Sequence, residues 1–192
     1  MLIQEPWIYG TREGHYATNR ENFSAGPGIA HTTCIRIRST IKAFPLLELS
    51  YRDITTLRLP FIRGGSIREI TVTSAYLPYD SGESSPSREL WDVITHCCRN
   101  NLKLNVGCDA RAHHTIWGST GINPRRHHVM EYLVNTNLNI LIKGNKHTFH
   151  VSNKQEVTAP TLRTDNIGVL VSNWHVSDKT SLSYQIYNLS GT

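Results

Sequence analysis

The sequence predicts an α/β protein built on a mixed sheet, and three observations carry that prediction. Short β-branched and apolar runs recur along most of the 192 residues, with Ile70-Thr-Val-Thr-Ser-Ala-Tyr76 alternating as a half-buried strand does. Two segments with helical spacing lie between such runs. A turn after Lys103–Val106 then collects a carboxylate, a guanidinium and two imidazoles between Asp109 and His114. Polar groups gathered just past the C-terminal end of a strand are how α/β folds deliver chemistry.

Taken in order, strands are expected at Leu2–Tyr9, Ile29–Ile37, Ile54–Phe61 and Glu69–Leu77. The stretch Asp80-Ser-Gly-Glu-Ser-Ser-Pro-Ser87 is polar and rich in turn formers, and reads as a surface loop. A helix is expected near Ser85-Pro86, because serine caps helices and the fixed φ of proline suits a first turn. Leu90, Trp91, Ile94 and Cys97/Cys98 follow at helical spacing. The strand Lys103–Val106 comes next. A second helix is expected from Asn123-Pro124 by the same cap logic, with Val129, Met130, Leu133 and Val134 on its inner face. Leu138–Ile142 reads as a strand, followed by short segments around Thr148–Val151, Val169–Val176 and Leu182–Leu189. With no linker, repeat or low-complexity tract, residues 1–192 read as a single domain.

Hydrophobic residues make up 39% and charged residues 18%, the balance of a globular chain. No apolar run approaches the roughly 20 residues that span a bilayer, so no membrane partner is expected. Met1-Leu-Ile-Gln-Glu-Pro lacks the basic-then-apolar order of a signal peptide. Cys34, Cys97, Cys98 and Cys108 show no Cys-x-x-Cys spacing and read as free thiols in a reducing compartment, intracellular and either nuclear or cytoplasmic. The net charge of +5 favours polyanions such as nucleic acid, although the charges are dispersed and form no basic run.

Among candidate site residues, Glu5 ends an apolar run, where a carboxylate holds a hard cation or is simply a solvated strand end. Tyr76 either donates its hydroxyl to a phosphate or packs its ring. Asp109 is stronger. An acid after a strand and a Gly107-Cys108 turn, followed by His113-His114, fits phosphodiester hydrolysis. That reaction needs a metal to polarise the phosphate and a carboxylate or imidazole to orient and deprotonate water. Zinc is a poor reading of His113-His114 and His127-His128. Neighbours in a strand point oppositely, neighbours in a helix diverge by about 100°, and no second ligand pair stands at zinc-finger spacing. Phosphate-cradling Gly-Lys loops, dinucleotide fingerprints and nucleophile elbows are absent.

The segment Gly107-Cys-Asp109-Ala-Arg111-Ala-His113-His114-Thr-Ile-Trp117-Gly118-Ser119 closely resembles the aspartate block of the endonuclease/exonuclease/phosphatase superfamily, in the form carried by endonuclease domains of non-LTR retrotransposons. The resemblance extends over almost the whole chain. Leu2-Ile-Gln-Glu5-Pro-Trp7 is similar to the family's metal-glutamate strand and Ser74-Ala-Tyr76-Leu-Pro78-Tyr-Asp80 to its tyrosine motif. Asn123-Pro-Arg125 to Leu141 is similar to the following helix and strand, Thr148-Phe149 to its Thr-Phe step, and Trp174-His-Val176 through Ser183 to its final region. The resemblance implies a deoxyribonuclease-like four-layer α/β sandwich, two sheets flanked by helices. It implies Mg²⁺-dependent nicking of DNA to prime reverse transcription, by a monomer with no small-molecule cofactor. Glu5 would bind metal, Asp109 would orient the attacking water, Tyr76 would support the phosphate, His113 would join the catalytic group, and Arg111 and His114 would face the phosphate. The Trp117-Gly118-Ser119 and Trp174-x-Val176 features argue against a small-molecule phosphatase of the same superfamily.

The chain departs from this pattern at four places. Its first residue is Met1, so the family's initial strand and helix are expected to be missing. Arg111 stands where the family has an asparagine, and arginine cannot accept a hydrogen bond while its charge opposes a nearby metal. No acid falls near Ala159-Pro160-Thr161. Ser183-Tyr184-Gln185 stands in place of Ser-Asp-His, and the alternative register Ser177-Asp178-Lys179 keeps the acid but not the histidine. These departures lead to an expectation of weak or absent cleavage. A non-catalytic nucleic-acid-binding module and a remnant without function are the rival readings.

Overall fold

The computed structural model describes residues 2–4, 16–17, 21–25, 32–78, 87–136, 138–141, 149–151, 154–157 and 161–164. Strands β1 (Leu2–Gln4), β2 (Tyr16–Ala17), β3 (Glu21–Ala25) and β4 (Thr33–Arg38) form a four-stranded antiparallel sheet in the order β1-β4-β3-β2. Strands β5 (Phe44–Pro45), β6 (Ile54–Arg63) and β7 (Ser66–Tyr76) follow, then helix α1 (Arg88–Arg99), strand β8 (Leu104–Asp109), helix α2 (Arg126–Thr136) and strand β9 (Leu138–Ile140). Phe149–Val151 (β10) and Lys154–Glu156 (β11) make a small hairpin, and Thr161–Thr164 is β12. The second large sheet has six strands in the order β5-β6-β7-β8-β12-β9. It is mixed, because β7 and β8 run parallel, joined by α1, while its other pairs are antiparallel.

Alternation along β6, β7 and β8 decides what packs on each face. Ile54, Ala75, Leu104, Val106, Cys108 and Leu162 face the helices and share one core with Leu90, Val93 and Ile94 of α1 and Val129 and Leu133 of α2. Leu57, Ile70 and Val72 face the other way and form a second core with Leu2, Ile35 and Ile37 of the four-stranded sheet. Two sheets thus pack face to face, with both helices on the outer face of the larger one. At Gly107 the sheets come so close that an added Cβ would lie 2.5 Å from Cδ1 of Leu2. The contact is stitched by a buried polar pair: the Thr33 and Thr55 hydroxyls are 2.9 Å apart, and Thr55 Oγ1 also donates to the Thr33 carbonyl at 3.0 Å.

The expected strands at Ile54–Phe61, Glu69–Leu77 and Lys103–Val106 are present, each within a few residues of its expected ends. Helix α1 starts later than Ser85-Pro86. Ser87 is its cap, extended at φ −63° and ψ 157°, with its side chain accepting from the Leu90 N–H at 3.4 Å. Helix α2 starts at Arg126, after a turn through Pro124-Arg125, because Asn123 is used elsewhere. Val134, expected on the inner face, is 74% exposed, since the buried stripe runs through Val129, Tyr132, Leu133 and Thr136. β2, β3, β5, β11 and β12 carry no expectation from sequence. Residues 26–31, 85–86, 148, 169–176 and 182–189 lie outside the described residues, as does most of the expected first strand after Gln4.

Candidate active site

Two parallel strands end side by side, and their last residues are Tyr76 and Asp109, which stand in register. Neighbouring strands lie about 4.8 Å apart, so a carboxylate and a phenol on one sheet face are delivered together. Backbone hydrogen bonds fix both ends: Tyr76 N–H donates to the Asp53 carbonyl at 2.8 Å and Leu77 N–H to the Asp109 carbonyl at 3.0 Å. Asp53 itself is occupied, its carboxylate accepting from the Thr32 hydroxyl at 2.5 Å and pairing with Arg52 at 3.8 Å.

The chain after Asp109 turns sharply. Arg111 has φ +45°, the left-handed region that L-residues other than Asn and Asp rarely enter. Its N–H donates to Asp109 Oδ1 at 3.1 Å, and its guanidinium carbon sits 5.6 Å from the centroid of the Tyr76 ring. Tyr76, Asp109 and Arg111 are therefore brought together. Ala110 and Ala112, both fully buried, plug the loop into the core on either side of the exposed arginine.

His113 and His114 are half-buried and follow in the same loop. Nδ1 of His114 accepts from the Ile116 N–H at 3.0 Å, capping the 3₁₀ turn Thr115–Trp117, and its ring lies 5.2 Å from that of Trp117. That bond occupies Nδ1, so Nε2 is the ring nitrogen the turn does not use. Trp117 is 1% exposed and donates from Nε1 to the Ala112 carbonyl at 3.0 Å, so a large buried ring anchors the loop from below. Gly118 permits the exit, with φ +92°. Cys108 is no nucleophile: burial, with the neighbouring Asp109 charge adding to it, pushes its thiol up to about 12.

Two residues that carry no site role in the sequence reading hold this arrangement. Asn123, expected to cap α2, grips the loop with its side chain instead. Oδ1 accepts from the His113 N–H at 3.0 Å, Nδ2 donates to the Arg111 carbonyl at 2.9 Å, and its own N–H reaches the His113 carbonyl at 3.3 Å. Arg125, two residues on, donates to the Leu77 and Pro78 carbonyls at 2.8 and 2.9 Å. One short turn before α2 thus ties down the segments that follow both β7 and β8. A polar residue beside a proline gives no local signal of a contact made twelve residues back.

Glu5 lies outside the described residues, as do Ala159-Pro160 and the region from Ser177 to Gln185. Among the described residues, no three acids, histidines or cysteines come together in a way that could hold a metal ion. No helix of the described residues is long and apolar enough to cross a membrane. All four cysteines are free, with Cys98 exposed and the other three buried.

A family model described as endonuclease-reverse transcriptase matches residues 70–183, which include most of β7, all of β8, both helices and the whole Asp109 loop. The structure is similar to that of the endonuclease domain of TRAS1, a telomere-specific non-LTR retrotransposon. The TM-score is 0.74, at 22% identity, covering 98% of this chain and 84% of that one. The mixed sheet and two-sheet packing are thus the endonuclease-type α/β fold. No curated protein matches the chain.

Proposed function

Because the chain belongs to the endonuclease-reverse transcriptase family, we propose that it is an endonuclease-type domain that takes DNA at the ends of β7 and β8 and cleaves it weakly or not at all. The observation that carries this reading is the register of Tyr76 with Asp109, with the guanidinium of Arg111 laid over the tyrosine ring. In this reading Asp109 orients the attacking water and Tyr76 supports the phosphate. His113 takes part in proton transfer, and Arg111 and His114 grip phosphate oxygens. Glu5 and Mg²⁺ belong to the same reading through the family. The described residues do not form a Mg²⁺ cage by themselves, and the fixed charge of Arg111 over the Tyr76 ring opposes one.

Weak cleavage follows from magnitudes. A general acid or base contributes about 10²–10⁴-fold, and Ser183-Tyr184-Gln185 offers no histidine where the family places one. Losses within one catalytic unit do not multiply, yet a single loss of that size suffices. Supercoiled-plasmid nicking with Mg²⁺ tests the reading. The wild type is expected near background, with Asp109→Ala indistinguishable from it. Clear wild-type nicking that Asp109→Ala abolishes would overturn the claim of weak activity.

A second reading, a nucleic-acid-binding module without chemistry, is favoured by the same arginine and by the net charge of +5. It predicts salt-dependent DNA binding with no cleavage under any condition.

A further inference from the structure

We propose that the Arg111 guanidinium takes the place of a metal ion as the positive charge that holds a DNA phosphate at this site, so that the domain binds DNA without Mg²⁺. This rests on the reading of the site as a DNA site and adds how its charge is supplied.

Position comes first. The guanidinium carbon is 5.6 Å from the Tyr76 ring centroid, and Tyr76 is the strand neighbour of Asp109, so a permanent cation stands over one of two candidate catalytic residues that end neighbouring strands. The second argument is constraint. An ordinary surface arginine has no need of a left-handed backbone, and one at φ +45° is sterically costly. Here the conformation is held from three sides: by the N–H bond to Asp109, by the Asn123 bond to the Arg111 carbonyl, and by the tyrosine ring. A strained residue over-determined by its surroundings is a reason to look for a role. Chemistry is the third argument. A guanidinium presents a planar fork that matches two phosphate oxygens, and it stays charged at every working pH. A divalent cation brought to the same place would meet a like charge, and the described residues supply no group of three ligands to offset that repulsion.

The tyrosine ring completes the device. Its face attracts the cation and limits where the fork can lie. Arg111 is exposed, so the charge is reachable from solution, whereas the alanines on either side are buried and fix where it emerges.

The test is fluorescence anisotropy with a short labelled DNA duplex, titrated across a salt series in EDTA and again with Mg²⁺ at matched ionic strength. The wild type is expected to bind equally well in both. Arg111→Gln should weaken binding roughly tenfold and lower the slope of log affinity against log salt by about one. Arg68→Gln, an exposed arginine at the far end of β7, should leave both quantities near wild type. Binding that appears only with Mg²⁺ overturns the inference and leaves the DNA reading standing. An unchanged slope in Arg111→Gln overturns it in the same way. No binding at low salt in either buffer sinks both this inference and the reading beneath it.

Discussion

At the scale of single residues, the loop after β8 shows how one backbone angle selects a side chain. The left-handed conformation at position 111 suits asparagine better than any other residue except glycine, so the asparagine that the sequence resemblance implies there would sit with less strain than arginine. Arginine keeps the angle at a steric cost of about 1–2 kcal/mol and recovers part of it through the Tyr76 ring, worth about 0.5–1 kcal/mol at an exposed site. Arg111→Asn should therefore hold stability level or raise it slightly, while removing the cation. The grip of Asn123 is the more vulnerable point. Asn123→Ala strips partners from the His113 N–H and the Arg111 carbonyl, both partly accessible to water, and should cost about 1–2 kcal/mol. Urea denaturation reads the cost, and hydrogen exchange should show the His113 amide losing protection. If stability and exchange both stay at wild-type values, Asn123 is not the clasp described above.

Single elements show which parts of the fold their own residues announce. β6, β7 and β8 declare themselves by alternation, and α1 by Leu90, Ile94 and Cys97 at helical spacing, although its buried stripe is completed by Val93 and not by Trp91 or Cys98, which are exposed. β12 does not, because four residues following a proline are too few to show a period, and their place between β8 and β9 is set by partners over fifty residues away in one case. β5 is two residues long and exists only because β6 offers it an edge. The site divides in the same way. Asp109, Tyr76 and the histidines stand out in sequence as candidates by residue type and spacing, whereas the stacking of Arg111 and the clasps of Asn123 and Arg125 depend on how loops meet. The joint between the sheets is similarly invisible in sequence, since Thr33 and Thr55 look like ordinary strand threonines. Thr55→Val keeps the shape of the side chain but leaves the fully buried Thr33 hydroxyl without its partner across the interface. An orphaned buried hydroxyl costs about 1–3 kcal/mol, so the melting temperature should fall by several degrees for a domain of this size. The double variant Thr33→Val/Thr55→Val should recover part of the loss, because both polar groups are then gone. A double variant that is less stable than Thr55→Val would sink that account of the joint.

For the whole molecule, the buried thiols link the fold to pH. Burial pushes Cys34 and Cys97 up to about 11 each and Cys108 up to about 12, from an ordinary value of 9.0. Burial likewise raises the Tyr132 hydroxyl, on the same helix-facing core as Cys97 and Cys108. In every case the folded protein holds a proton that the unfolded chain gives up more readily. Well below pH 9.0 the thiols are protonated in both states and contribute no pH dependence. Above it the unfolded chain ionises first, so stability falls as pH rises toward the folded values of about 11 and 12. Two of these thiols lie in the core beneath the Asp109 loop, so alkaline loosening should reach the site as part of the global transition and not ahead of it. Urea midpoints taken at intervals from neutral pH to about pH 11 should be steady at first and then decline, and Cys108→Ala should decline less steeply than the wild type. Thiol titration supplies an independent readout on the native protein: Cys98, exposed on α1, should react at once, while Cys34, Cys97 and Cys108 wait for unfolding. Midpoints that stay level throughout that range, or four thiols reacting together in the native state, would show that the core does not shield these groups as the structure places them.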